Sequence, residues 1–335
     1  MSSWRFACAS FLAMCLSLPI CAQIALLPGA VREQDIDQWL TRLHAASRGR
    51  AYAGTFVVTS GTEMSSSRIV HVSNGQQQLE RVEALNGTAR LTFRRDSEVV
   101  TFLPQSRLVV QEVRASLGMF PDVLKQADAS VARYYQLKSG GRDRVAGLDA
   151  DMVQLVPLDA LRFGYRIWTE QRTGVVLKLQ ILDAQQRVLE QAAFSELQLD
   201  APVRMADLNA QMDNRTGYKV RTPEVNVTSS AQEGWRHKPI PGFRQISCHR
   251  RLASRLISLP RATVQCVFSD GLASVSLFME PYDVSRHRAP KDGDTLAQGA
   301  THMLMGQRGE WWLTAVGEVP VRTLELLMQG LERQK

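Results

Sequence analysis

Tyr52-Ala-Gly-Thr-Phe-Val-Val58, Arg68-Ile-Val-His-Val72, Leu79-Glu-Arg-Val-Glu-Ala-Leu85, Leu91-Thr-Phe93, Val99-Val-Thr-Phe-Leu103 and Leu108-Val-Val110 follow one another between Tyr52 and Val113. Each run is rich in β-branched and aromatic residues or alternates apolar with polar, the period of a half-buried strand. Asn74-Gly75 and Asn86-Gly87 punctuate the runs. Asn-Gly between alternating runs is a strong hairpin signal, because the tight type I′ turn needs positive φ at its centre. The stretch therefore predicts an antiparallel meander with two faces. What covers each face decides what such a sheet does.

Outward from this stretch, Gln34 to Ser47 reads as a helix with Ile36, Leu40 and Leu43 on one side and Trp39 beside them. Its spacing predicts packing on the inside of the sheet. Leu117 to Val131 places Met119, Phe120, Val123, Leu124 and Ala127 at helical spacing, an insertion across one face or mouth of the sheet. Met119 and Phe120 are its candidate gate. Strands then resume through Arg162-Phe-Gly-Tyr-Arg-Ile-Trp168 and Val175 to Leu182, ending near Leu199. The reading is one large curved sheet of ten or eleven strands with helices on one side. Asp200 to Glu233 loses the alternation and reads as a linker. Beyond it, Pro241-Gly-Phe243, Thr263 to Phe268, Leu272 to Glu280 and Trp311 to Val316 read as strands, and Pro320 to Leu331 as an amphipathic helix. The fold class is α+β, and the expected boundaries are 1–22, 23–200, 201–233 and 234–335.

The first segment is a signal peptide by pattern. Arg5 precedes an apolar run from Phe6 to Leu18, Pro19 breaks it, and Ala22 precedes the cut before Gln23. The run is too short to span a bilayer. The expected product is exported and soluble. Of five cysteines, Cys8, Cys15 and Cys21 fall in the leader, leaving Cys248 and Cys266. In an oxidising compartment two remaining thiols usually pair, so a Cys248–Cys266 disulfide is expected, with two separate buried thiols as the alternative. The net charge is +7, and removing Arg5 with the leader leaves +6. That mild excess is compatible with nucleic acid, anionic lipid or an acidic protein partner, but composition alone favours a solubilising surface. Arg250, Arg251, Arg255 and Arg261 form a candidate basic patch on a hairpin of the second domain.

Chemistry is sparse. There is no Gly-x-Ser-x-Gly elbow, phosphate loop or dinucleotide glycine fingerprint. The histidines have no metal-ligand spacing, and no cofactor is implied. A binding surface is the better reading, because a curved sheet with an apolar hollow fills that hollow or binds something there. Phe56, Val58, Phe93, Phe102, Leu103, Tyr165 and Trp168 are the candidate lining, with plain core as the alternative for each.

Tyr52-Ala-Gly-Thr-Phe56, Met64-Ser-Ser-Ser-Arg-Ile-Val-His71, Glu80-Arg-Val82, Gly141-Arg-Asp-Arg-Val-Ala-Gly147, Phe163-Gly-Tyr-Arg-Ile-Trp168, Thr173-Gly174 and Leu189-Glu-Gln191 resemble the RseB/MucB family of periplasmic sigma-E regulators. Pro241-Gly-Phe243, Val267-Phe-Ser-Asp-Gly-Leu-Ala-Ser-Val275 and Val316-Gly-Glu-Val-Pro320 extend the match through the second domain. The linker and the arginine hairpin match least. The resemblance implies an unclosed β-barrel like that of lipoprotein carriers, with helices in its concavity, and a smaller α+β domain. It also implies a non-catalytic periplasmic protein that binds the periplasmic part of the anti-sigma factor RseA/MucA and shields it from site-1 proteolysis. Lipopolysaccharide or mislocalised lipoprotein would release it. A periplasmic lipid or lipoprotein carrier is the alternative, and self-association is left open.

Overall fold

The alternation read between Tyr52 and Val113 becomes six strands: β1 (Tyr52–Ser60), β2 (Glu63–Ser73), β3 (Gln78–Ala84), β4 (Leu91–Arg95), β5 (Glu98–Leu103) and β6 (Leu108–Val113). The structure is a computed structural model that describes residues 33–114, 120–121, 129–251, 263–287 and 295–334. The leader with its three cysteines, Met119, Arg255 and Arg261 lie outside the described residues. Five further strands follow: β7 (Tyr135–Val145), β8 (Leu148–Pro157), β9 (Gly164–Glu170), β10 (Val176–Leu182) and β11 (Val188–Leu199). That makes eleven strands by Leu199 among the described residues.

The sheet runs in the order β12-β6-β5-β4-β3-β2-β1-β11-β10-β9-β8-β7, where β12 is Lys219–Arg221. It is antiparallel except for the parallel β12–β6 pair. β7 and β12 do not pair, so the sheet stays open. β11 and β7 nevertheless touch with three strands between them, so the sheet is strongly curled.

α1 (Glu33–Gly49) lies on one face, hereafter the inner face. Its buried side chains Ile36, Trp39, Leu40 and Leu43 meet Tyr52, Phe56, Ile69, Ile167 and Phe194 in the main core. Burying one such side chain contributes about 1.5–3 kcal/mol, so this face supplies most of the reason the helix forms. The outer face at β3–β6 has its own cover. α2 (Met205–Asp213) places Leu208 and Met212 on Val72, Leu79, Phe93, Val100, Phe102 and Val109.

The two Asn-Gly pairs do sit in hairpin connections, but not as two-residue turns. Gly75 and Gly87 have φ of 85° and 71°, whereas neither asparagine is left-handed. The asparagines work through their side chains. Asn74 Oδ1 accepts from the amides of Gln76 and Gln77, and Asn86 Oδ1 accepts from the Ser66 amide at 2.8 Å. Side-chain bonding of this kind supports longer loops.

The expected linker is built into the fold. It holds α2 and β12 on the large sheet, and β13 (Val225–Val227) on the small one. Three-residue strands are too short to announce themselves by alternation. The remaining strands are β14 (Trp235–His237), β15 (Arg244–Arg251), β16 (Thr263–Ser269), β17 (Ser274–Pro281), β18 (Thr295–Gln298), β19 (Thr301–Arg308), β20 (Trp311–Gly317) and β21 (Leu331–Arg333). The second sheet has seven strands in the order β13-β15-β16-β17-β20-β19-β18, while β14 pairs with β21. α3 (Val321–Gln329) buries Leu324 and Leu327 against Phe268, Leu277 and Leu313 of that sheet. Cys248 and Cys266 face each other across β15 and β16 and form a disulfide.

Candidate functional site

Strand alternation decides which candidates share a surface. On the inner face the pairing aligns Phe56 with Ser67 and Phe194, and Tyr165 with Ile181. Phe56, Val58, Tyr165, Leu179, Ile181 and Ala192 line a cavity of about 200 Å³. Phe120 closes over it, its ring 5.5 Å from Phe56 and 5.1 Å from Phe194. The small lobe supplies Leu272 and Glu318, so this cavity lies between the lobes.

The other candidates are elsewhere. Phe93 pairs with Arg81 and Val100, one residue out of phase with the inner-facing Val82, and so points to the outer face. Phe102 joins it there at 5.8 Å, with Tyr218 against Phe102 at 5.3 Å. Trp168 follows the inner-facing Ile167 and turns away as well. It packs with Val145, Ala150 and Leu177, donates from Nε1 to Asp143 at 2.9 Å, and carries the Lys178 ammonium over its ring at 4.4 Å. Phe93, Phe102 and Trp168 are therefore packing residues and not cavity lining. Leu103 has the inner-face parity through its pairing with Leu108 but lies outside both cavities.

Sequence reasoning missed the larger hollow. A cavity of about 800 Å³ opens between α1 and the β7–β9 edge. Trp39, Leu43, Ala46, Met152 and Val153 give it an apolar wall. Arg42, Arg50, Arg142 and Arg172 line it together with the carboxylates Asp151 and Glu170. The size falls in the ordinary range for small-molecule sites, roughly 300–1,000 Å³, and the smaller cavity falls below it. Arg50 pairs with Asp200 at 3.0 Å, Arg142 with Asp151 at 3.9 Å and Arg172 with Glu170 at 3.6 Å. Burial works against the Glu170 charge. The Thr173 side chain and the Thr173 and Arg172 amides outweigh it and hold the carboxyl below its usual range. The Thr173 amide donates to Oε2 at 2.7 Å. Gly174, with φ of 77°, tucks this turn against Ala46 of α1, where an added Cβ would come within 3.3 Å. The residues come from α1 and three strands, so no local sequence motif could have shown them.

Arg250 and Arg251 do not make a free basic patch. Arg250 Nε donates to Glu233 Oε1 at 3.0 Å, and its Nη2 also bonds that carboxylate. Hydrogen bonding from Arg250 comes first among the causes that hold Glu233 below its usual range. Arg251 is half-buried opposite Val225 of β13.

His71 is fully buried against Tyr52, ring centroids 4.9 Å apart. Its Nδ1 donates to the Arg50 carbonyl at 2.8 Å, and Glu80 lies 3.9 Å from Nε2. Arg94 in turn pairs with Glu80 at 2.8 Å. This is a structural network inside the inner face. Among the described residues no group of three or more His, Cys, Asp or Glu is arranged to hold a metal, and no helix is long and apolar enough to cross a membrane.

The same two lobes occur in known proteins. Residues 35–212 match the MucB/RseB N-terminal domain, and residues 229–332 match the MucB/RseB C-terminal domain. The chain belongs to the MucB/RseB family. It is 29% identical over 303 residues to the sigma factor AlgU regulatory protein MucB of Pseudomonas aeruginosa, covering 88% of this chain and 90% of that one. Against the sigma-E factor regulatory protein RseB of Haemophilus influenzae the figures are 24% over 323 residues, with 96% and 97% covered. The crystal structure of MucB in complex with MucA(peri) superposes with a TM-score of 0.67 at 25% identity, covering 89% of this chain and 98% of that one. For a MucB/RseB-family chain, the open curled sheet, the inner helix and the second sheet are thus the family's architecture.

Proposed function

We propose that this chain is a non-catalytic, periplasmic regulator of a sigma-E-type envelope stress response. It binds the periplasmic part of a membrane-spanning anti-sigma factor and shields it from the first proteolytic cut. The observation that carries this reading is similarity along both lobes to a protein solved with such a partner. A regulator of this kind needs surfaces, not a reacting group, and the features here are cavities and lobe contacts.

Release follows from linkage. A ligand dissociates the complex only as far as it binds the partner-free form better than the bound form. The cavity under α1, with its apolar wall and arginine rim, suits an amphiphile with an acyl body and an anionic head, the chemistry of lipopolysaccharide and related envelope lipids. In this reading the division between β12 and β13 separates ligand recognition on the large lobe from partner recognition, at least in part, on the small one.

The test uses the chain without its first 22 residues and the periplasmic segment of its own host's anti-sigma factor. Complex formation is measured first by calorimetry, then cleavage of the segment by the site-1 protease with and without this chain. No complex, or cleavage at the same rate with and without this chain, removes the reading. If the complex forms and saturating acylated lipid fails to dissociate it, the sensing half alone is lost.

A further inference from the structure

Two carboxylates meet in the cavity between the lobes. Glu190 comes from β11 of the large sheet, and its Oε2 accepts from Ser60 Oγ at 2.9 Å. Glu318 comes from the short connection between β20 and α3 of the small lobe. Both line the same space of about 200 Å³, walled by Phe56, Phe120, Leu179 and Ile181. The other polar groups on that space are Ser65 and Ser67 of β2, the Tyr165 hydroxyl of β9 and Arg90, which is exposed. On the small-lobe side, His302 Nδ1 donates to the Val319 carbonyl at 2.6 Å, next to Glu318. The lobes also touch beside Glu190, at Ser60. Ser60 Oγ, whose hydrogen goes to Glu190, lies 3.4 Å from the Gln298 carbonyl, and Gly299 lies against Ser60.

The charges do not balance around Glu318. Burial, and second the like charge of Glu190, push its carboxyl up to about 7. Tyr165 shows the same environment from the other side. Burial first, then the negative charges of Asp270 and Glu318, push its hydroxyl well above the usual value.

We infer that Glu318 is a proton-sensitive latch between the two lobes. Protonated, it is an uncharged side chain beside Glu190, and the small lobe seats on β1 and β11. Ionised, it confronts Glu190 across the cavity, and the contact loosens. The sign follows from the direction of the shift. A carboxyl that titrates higher when buried than in water binds its proton more tightly in the seated state. Seating is therefore strongest in acid. It weakens as pH rises from the ordinary carboxylate range to about 7, and changes little above that. The latch rests on the lobe contact alone and stands whether or not the chain binds an anti-sigma factor.

The test places fluorophores on two exposed turns of the full mature chain, at Gln185→Cys in the large lobe and Glu310→Cys in the small lobe. Energy transfer is followed from about pH 5.5 to about pH 8.5, the range in which such a carboxyl ionises. The separated population should rise at least about tenfold, one pH unit of differential proton binding. Glu318→Gln should hold it flat up to about pH 7, the part of the range in which the wild type changes. Glu190→Gln, which removes the like charge, should reduce the rise. A wild-type chain without pH dependence overturns the latch, and so does a Glu318→Gln chain that opens as the wild type does. Should Glu318→Gln fail to fold, an undiminished rise in Glu190→Gln overturns it as well.

Discussion

Arg162 Nη1 lies 2.9 Å from Asp270 Oδ2, with both side chains wholly buried, and this pair joins the large lobe to the small one. Arg162 stands just before β9, and Asp270 in the turn between β16 and β17. The same guanidinium donates to Asp159 at 2.9 Å and to the Pro241 carbonyl at 2.7 Å, and lies over the Tyr134 ring at 4.3 Å. Asp270 also accepts from the Tyr135 hydroxyl at 3.3 Å and from the amides of Leu272 and Ala273. Burial still wins at Asp270, whose carboxyl is held above its usual range despite these donors. Such a pair fixes geometry more than it adds stability, because desolvation offsets the attraction.

Breaking it from one side is a different matter. Arg162→Ala leaves a buried carboxylate uncompensated, and removing one partner of a buried pair costs about 3–5 kcal/mol. Urea denaturation should show a loss of that size. Arg162→Lys should recover little of it, since one ammonium cannot serve Asp159, Asp270 and the Pro241 carbonyl together. A loss below about 1 kcal/mol, the scale of an exposed ion pair, would mean the pair is solvated in solution.

Gly299 supplies a second lobe contact. Its φ is 56°, and an added Cβ would fall 2.1 Å from Ser60 Oγ and 3.1 Å from the Leu189 carbonyl. Gly299→Ala should lower stability by about 1–3 kcal/mol, the cost of a left-handed non-glycine residue. Ser60→Ala in the same chain should restore only the part due to the hydroxyl clash. Thermal melting of the two single variants and the double variant separates strain from crowding. Full rescue would mean backbone strain contributes nothing.

The strands were legible because period-two alternation is local. Eleven strands before Leu199 and the α1 face at Ile36, Leu40 and Leu43 follow from residues that lie close in sequence. Which face each strand buries was not legible. Phe93 and Phe56 look alike in sequence, and α2, which covers Phe93 with Leu208 and Met212, is a nine-residue helix inside a segment without strand alternation. The larger cavity and the Arg162–Asp270 pair were illegible for a simpler reason. They join residues about a hundred or more apart, and no short motif records such a meeting.

The face assignment is itself testable. Phe93 is fully buried among Phe102, Leu79 and Met212. Phe93→Ala should cost about 3–5 kcal/mol as a core cavity. It should leave binding of an apolar dye at the inner face unchanged, whereas Phe120→Ala should enlarge the interlobe cavity and raise dye binding. Equal effects of the two substitutions on dye binding would contradict the two-face description.

The disulfide ties β15 to β16 across eighteen positions of sequence. In the chain-entropy account, a loop of about 15 residues restrained in this way contributes about 3 kcal/mol. Cys248→Ala with Cys266→Ala should lower the denaturation midpoint accordingly. Because Cys248 and Cys266 lie in the small-lobe core, the loss should appear in probes of Trp311 and Trp312 before it appears in the large sheet. Simultaneous loss in both lobes would mean they unfold as one cooperative unit.

The cavity under α1 gives the last prediction. Arg142 and Arg172 are each 85% exposed, and their partners Asp151 and Glu170 hold them at 3.9 and 3.6 Å. The arginine ends are solvated and the contacts long, and Glu170 keeps its Thr173 and backbone donors without the Arg172 side chain, so replacing both arginines should not unfold the chain. Their charge remains available to an incoming anion. If an anionic amphiphile sits against Trp39, Leu43 and Met152, its head must meet this rim. Arg142→Ala with Arg172→Ala should then weaken a phosphorylated or carboxylated amphiphile about tenfold, and raised salt should erode the difference. A neutral amphiphile of equal chain length should bind both chains alike. The charge dependence discriminates, because an apolar wall alone would treat the two ligands equally. An unchanged affinity for the anionic ligand would place the acyl chain elsewhere in the fold.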